Sequence, residues 1–218
     1  MSFSRSSVQD PSFHLGQRLS YDGFLCTVRY HGSLPSTKGV WLGVEWDDVS
    51  RGKHDGTYQG KRYFDCLSSS PTAGSFIRPS RIPDPPRSFL EALRFKYVAE
   101  DTNETASPPP DAANGKSLPN SNAIEISGKV VEEVGFERIR QQQAVLQNLR
   151  IVLLDQLCLS SITLEPHDPA AIAAAQEVVT WTCPDLVELD LGWNLIETWT
   201  DVAEICLPLK RLQVLKAR

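Results

Sequence analysis

The 218-residue sequence predicts a multi-domain chain in which a small all-β unit precedes an incomplete α/β unit built on a leucine repeat. Three observations carry that prediction. Residues 15–82 are rich in Gly and aromatics and alternate in short runs, the signature of a small all-β unit. Residues 101–123 are dense in Pro, Ser, Asn and Asp and have no periodicity, as expected of a segment that cannot bury a core. From residue 186 a spaced set of leucines begins, and it restarts 26 residues later. A hydrophobic content of 41% is enough to build the cores.

Taken in order, residues 1–14 are polar and Ser-rich, with no apolar run of signal-peptide length, and are expected to be disordered. In the first unit Phe24, Cys26, Val28 and Tyr30 alternate with Leu25, Thr27 and Arg29, which predicts a strand with the first four on its apolar face. Residues 83–100 read as a helical extension, because Phe89, Leu90, Leu93 and Tyr97 fall at helical spacing after the breakers Pro83, Pro85 and Pro86. The segment 101–123 is a linker with a span of roughly 25 to 30 Å, which leaves the folded zones on either side independent. The last zone, 124–218, opens with a hairpin across Ser127-Gly128 and a helix carrying Phe136, Ile139, Leu146 and Leu149.

The repeat reads Leu186-x-x-Leu189-x-Leu191-x-x-Asn194-x-Ile196, and its restart reads Leu212-x-x-Leu215-x-Ala217. A degenerate earlier copy is Leu149-x-x-Val152-x-Leu154, followed by an inserted helix with Asp168 as N-cap and Pro169 at its first position. The template leucines should point inward, and a buried Asn194 should satisfy loop backbone groups that no strand pairs. This predicts an incomplete leucine-rich-repeat solenoid over an ordinary α/β core. Ile151 and Leu153 should face the open side of the first repeat, unless a cap or the inserted helix covers them. Because the chain stops at Arg218 without a polar terminal cap, the zone reads as a fragment of marginal stability.

Charge and composition narrow the function. Residues 15–82 hold nine Lys/Arg against six Asp/Glu, a net +3 inside a chain of net −5. That is too sparse for a nucleic-acid footprint, yet it can attract a short acidic peptide. No stretch approaches 18 apolar residues, so no membrane helix is expected. The five cysteines, Cys26, Cys66, Cys158, Cys183 and Cys206, are odd in number and lack any C-x-x-C pair, which fits a reducing cytosol rather than disulfides or zinc. No nucleotide loop, catalytic triad or metal set is visible, so no cofactor is expected; Asp47-Asp48 reads as a turn. Both Gly-Lys pairs lack the rest of the G-x-x-x-x-G-K-[ST] pattern.

The informative blocks are Gly39-Val40-Trp41-Leu42-Gly43-Val44-Glu45-Trp46, Gly52-Lys53-His54-Asp55-Gly56, Gly60-Lys61-Arg62-Tyr63-Phe64 and Gly74-Ser75-Phe76-Ile77-Arg78-Pro79. Strand alternation sets Leu42, Val44 and Trp46 on one face and Trp41, Gly43 and Glu45 on the other. Trp41 then flanks a strip of backbone, and bare Gly43 leaves room for an incoming chain. Over residues 15–82 these blocks resemble the CAP-Gly family. The resemblance implies a curled antiparallel β-sheet that binds acidic, aromatic-ended tails such as the Glu-Glu-Tyr end of α-tubulin. It implies partner contacts at Trp41, Gly43, Gly52, Lys53, His54, Asp55, Gly56, Phe64, Phe76 and Arg78. The family loop reads G-K-N-D-G, so His54 stands where asparagine is expected. A neutral imidazole still donates one hydrogen bond, and if it meets a carboxylate, affinity is expected to rise as pH falls from 7.5 to 6.

The order of CAP-Gly module, linker and leucine-rich repeats is similar to a family of tubulin chaperones in which a ubiquitin-like domain follows the repeats. The expectation is therefore a cytoplasmic, cytoskeleton-associated tubulin chaperone, cooperating with other tubulin-folding cofactors. A microtubule-binding adaptor is the competing reading, and an enzyme the third.

Overall fold

The computed structural model describes residues 13–98, 125–126, 129–130 and 145–217. Residues 1–12, the linker over 101–123, and Phe136 and Ile139 of the expected helix lie outside the described residues. No described helix is long and apolar enough to cross a membrane.

The first unit holds six strands: β1 (Arg18–Tyr21), β2 (Phe24–Ser33), β3 (Val40–Trp46), β4 (Thr57–Tyr58), β5 (Lys61–Arg62) and β6 (Gly74–Ile77). β1, β2, β3 and β6 pair antiparallel in that order. Asp22 and Gly23 join β1 to β2 with φ of 54° and 81°, the left-handed pair that a two-residue hairpin turn requires. Gln59 and Gly60 do the same between β4 and β5, with φ of 47° and 77°. The inner face of the sheet buries Leu19, Tyr21, Cys26, Val28, Leu42 and Val44 around Trp46, whose indole donates to Ser75 Oγ at 3.0 Å.

One strand departs from its alternation. Val28 pairs with Val44 and Tyr30 with Gly43, so β2 spends two residues where β3 spends one. This bulge turns Tyr30 from the inner face to the outer one, which simple alternation could not foresee.

The second core begins earlier in the chain than the linker. β7 (Arg87–Ser88) leads into α1 (Phe89–Tyr97), whose start is fixed by a capping box between Ser88 and Glu91. Phe89, Ala92 and Leu93 of α1 are fully buried among Val152, Leu154 and Leu159 of the repeat zone. β8 (Glu125–Ile126) and β9 (Lys129–Val130) pair antiparallel where the hairpin was expected.

Beyond them lie β10 (Ile151–Leu153), β11 (Leu159–Ser161), α2 (Pro169–Thr182), β12 (Glu188–Asp190), α3 (Trp199–Cys206) and β13 (Val214–Lys216). β10, β12 and β13 form a parallel three-stranded sheet, joined in register Val152, Leu189, Leu215. Asp168 caps α2 by accepting from Ala170 N at 2.9 Å, with Pro169 opening the helix. Leu186, Leu189 and Leu191 point inward, as do Val152 and Leu154. Ile151 and Leu153 face solvent. Leu215 is 39% exposed, because no described element packs over β13.

Asn194 holds the loops together. Its Oδ1 accepts from Leu157 N at 3.1 Å and Leu159 N at 3.0 Å, while Nδ2 donates to the carbonyls of Leu154, Leu191 and Gly192 at 2.7, 3.0 and 3.2 Å. The units also touch directly. Arg18 reaches Asn194 O at 3.4 Å, and His14 Nε2 lies 2.8 Å from Glu197 Oε2, while β7 pairs in parallel with β11 inside the second unit.

Candidate functional site

The outer face of the four-stranded sheet carries the candidate site. Register places Tyr30 on β2, Gly43 on β3 and Phe76 on β6 side by side. Two residues along, the same face presents Gly32, Trp41 and, past the end of β6, Arg78.

Phe76 is the centre of an aromatic platform. His54 stacks on it with ring centroids 4.8 Å apart and planes 30° from parallel. Phe64 meets it edge-on at 5.4 Å, and Tyr30, Tyr58 and Tyr63 do so at 6.1, 6.0 and 6.0 Å. Edge-to-face geometry at these separations is favourable for the ring quadrupoles. Phe64 itself is 6% exposed and forms the floor. The glycines exist for that floor: a Cβ on Gly43 would fall 2.5 Å from Phe64 Cε1, and one on Gly56 would fall 2.0 Å from Phe64 O. Gly43 therefore receives Phe64 and Tyr30 rather than leaving space for an incoming chain.

The Gly52–Gly56 loop is pinned to the sheet through backbone. Lys53 N and His54 N both donate to Gly74 O, at 2.7 and 3.1 Å, and Gly74 N donates to His54 O at 2.7 Å. Gly52 lies so close to the neighbouring chain that a Cβ would meet Thr72 O at 1.9 Å. Asp55 turns inward on its own loop: Oδ1 accepts from Thr57 N at 3.2 Å and Oδ2 from Arg62 at 2.6 Å. Hydrogen bonding from Thr57, with Arg62 behind it, holds that carboxyl below the usual range. Asp55 thus shapes the loop.

The cations divide into occupied and available. Arg62 is committed to Asp55 and Asp65, and Arg29 to Glu45. Arg78 donates to Lys38 O at 2.6 Å and lies 3.6 Å over the Trp41 ring, so it braces the tryptophan. The Trp41 indole N–H is used by Thr37 Oγ1 at 2.9 Å, which leaves its ring for apolar contact. Lys53 is exposed and forms no ion pair among the described residues. Lys61 Nζ stands 5.3 Å from the Tyr63 ring.

Of the residues singled out from sequence, His54, Phe64 and Phe76 meet ring to ring, Gly43 and Gly56 admit Phe64, and Trp41 pairs with Arg78. Sequence reasoning missed Tyr30, Tyr58 and Tyr63. The signal for Tyr63 was its place beside Phe64 in a quoted block; that for Tyr30 was hidden by the bulge. Two cavities, of about 390 and 570 Å³, border Arg18 at the junction of the units and share no residue with this platform. Among the described residues no group of three or more His, Cys, Asp or Glu could hold a metal ion.

Residues 15–82, which hold the four-stranded antiparallel sheet, the glycine-bracketed loop and the aromatic platform, match the CAP-Gly domain. The chain as a whole is similar to tubulin-specific chaperone E. It is 36% identical over 201 residues to the proteins of that name from Mus musculus and Homo sapiens, covering 92% of this chain and 33% of each relative. Protein PAC2 of Saccharomyces cerevisiae is 32% identical over 213 residues, covering 94% of this chain and 35% of that protein. These proteins are homologues of the chain, which spans about a third of their length.

Proposed function

We propose that the chain is the tubulin-binding part of a tubulin-folding chaperone, acting in the cytoplasm in association with the cytoskeleton. In this reading the CAP-Gly platform captures the acidic, aromatic-ended C-terminal tail of α-tubulin. Its carrying observation is one exposed, unpaired cation, Lys53, beside a cluster of partly exposed rings around Phe76. A carboxylate needs the cation, and a terminal aromatic side chain needs the rings. Trp41 supplies an apolar wall, Phe64 and the glycines the floor, and Asp55, Gly52 and Gly56 the loop shape. The names of the homologues support the chaperone class.

We further read the second unit as the opening of a leucine-rich-repeat solenoid that grips the body of tubulin, with other tubulin-folding cofactors as further partners. The parallel sheet, the inward leucines and the Asn194 bonds support it. The role is binding, without catalysis or a cofactor. The test is to mix the protein with soluble tubulin and with assembled microtubules, each with and without the α-tubulin tail. The chaperone reading expects tail-dependent binding to soluble tubulin. Binding confined to polymer would favour a microtubule adaptor, and binding indifferent to the tail would sink the platform assignment.

A further inference from the structure

We propose that His54 is a tautomer-locked stand-in for an amide side chain, presenting its Nε2–H as a fixed donor that selects a carboxylate or carbonyl oxygen of the bound peptide. The inference rests on the peptide-platform reading and adds to it the group that reads the acceptor.

The geometry dictates the tautomer. Gly56 N donates to His54 Nδ1 at 3.0 Å. A backbone N–H can only donate, so Nδ1 must carry a lone pair, and the proton of the neutral ring must sit on Nε2. An asparagine at this position makes the same turn: its side-chain oxygen accepts the N–H two residues on and its NH₂ faces away. His54 reproduces both halves, an inward acceptor and an outward donor. Among the described residues no protein group is bonded to Nε2, and it is not among the fully buried polar atoms without a partner, so its donor remains for a ligand. The stack on Phe76 fixes the ring plane, which an amide could not do to the same degree.

The charged neighbours are few. Lys53 and Asp55 flank the ring on its own loop, and the Asp55 carboxylate is held by Thr57 and Arg62. β6 contributes Gly74 and Phe76, and Phe64 lies beneath; none of these is charged. Burial first, and then Lys53, hold the imidazole below its ordinary pKa, against the opposing pull of Asp55. The folded value is thus depressed, so the neutral ring's contribution is present above the ordinary histidine range and is lost as pH falls through the folded value. Protonation would set two donors, Nδ1–H and Gly56 N–H, against each other and open the loop. The affinity for an acidic peptide should therefore hold steady from pH 7.5 to 6.5 and weaken below it. This reverses the expectation for a histidine that simply gains charge beside a carboxylate.

Two measurements on the full chain test this. Long-range proton–nitrogen correlation spectra of the peptide-free protein read the tautomer directly; an Nδ1–H ring at pH 7.5 would overturn the proposal whatever the protein binds. Calorimetry with a peptide ending in Glu-Glu-Tyr reads the role. His54→Asn should bind within about threefold of wild type at pH 7.5 and lose the fall in acid, whereas His54→Phe, which keeps the stack and loses both nitrogens, should bind at least about tenfold more weakly. Wild-type affinity that rises on acidification, or unimpaired binding by His54→Phe, sinks the donor role and leaves the platform standing. If the wild type binds no peptide at any pH, the platform reading falls, and the donor role with it.

Discussion

Lys53 and Gly56 show how differently two neighbours on one loop act. Lys53 touches little of its own protein, so Lys53→Ala should leave the fold intact by circular dichroism while weakening a Glu-Glu-Tyr peptide by about ten- to a hundredfold, the loss of one charge-assisted hydrogen bond. Calorimetry at low and high salt checks it, because the exposed contact should weaken further as salt rises. Gly56 is closely enclosed by its own protein: its φ is +96°, and a Cβ would fall 2.0 Å from Phe64 O. Gly56→Ala should therefore cost roughly 2 to 5 kcal/mol of stability in the first unit, strain and overpacking together, read as a lowered urea midpoint. At this scale the sequence was informative about which residues matter and less so about why. Gly43 was expected to admit a partner's backbone, but the space above it holds Phe64 and Tyr30, a contact between residues far apart in the chain that no local pattern encodes.

Elements were legible where one local rule fixes them. Asp168-Pro169 announced the start of α2, the leucine spacing announced which side chains enter the core, and the isolated asparagine announced a buried loop bracket. β2 was legible only up to Val28, because the bulge that follows depends on its partner strand and turns Tyr30 onto the aromatic platform. Asn194 offers the sharpest test of an element-level claim. Its side chain makes five bonds that bracket the turns after β10 and β12, and Asn194→Ala would strand Leu157 N, Leu159 N and Leu154 O in a place 5% open to water. A loss of about 3 kcal/mol or more is expected for the second unit. Hydrogen exchange should show it first at the Leu157 and Leu159 amides, and unchanged protection there would mean that water replaces the asparagine.

At the scale of the whole molecule, the passage from one core to the other is short and stiff. Asp84 is tied to the first unit by its N–H to Ser20 O at 2.8 Å and by its carboxylate to Ser20 Oγ and Gly23 N, at 2.5 and 2.8 Å. Arg87 is tied to the second by its N–H to Cys158 O at 2.9 Å and its guanidinium to Leu157 O at 2.8 Å. Only Pro85 and Pro86, with their fixed φ, lie between these anchors. The sequence made the prolines visible as a breaker, but it assigned the freedom between the units to 101–123. It could not show that α1 enters the second core, since Phe89 and Leu93 signal an apolar face without naming what covers it. Two outcomes follow from where α1 packs. Phe89→Ala should destabilise the second unit by about 3 to 5 kcal/mol while leaving peptide affinity at the platform unchanged, because the first core shares no residue with the second. A fragment ending at Pro86 should be monomeric and bind peptide like the full chain. A fragment ending at residue 100 should carry α1 with Phe89, Ala92 and Leu93 uncovered, and sedimentation should find it self-associating. If that longer fragment is instead monomeric with a protected α1, the helix belongs to the first unit, and the strut of Pro85 and Pro86 does not mark the boundary.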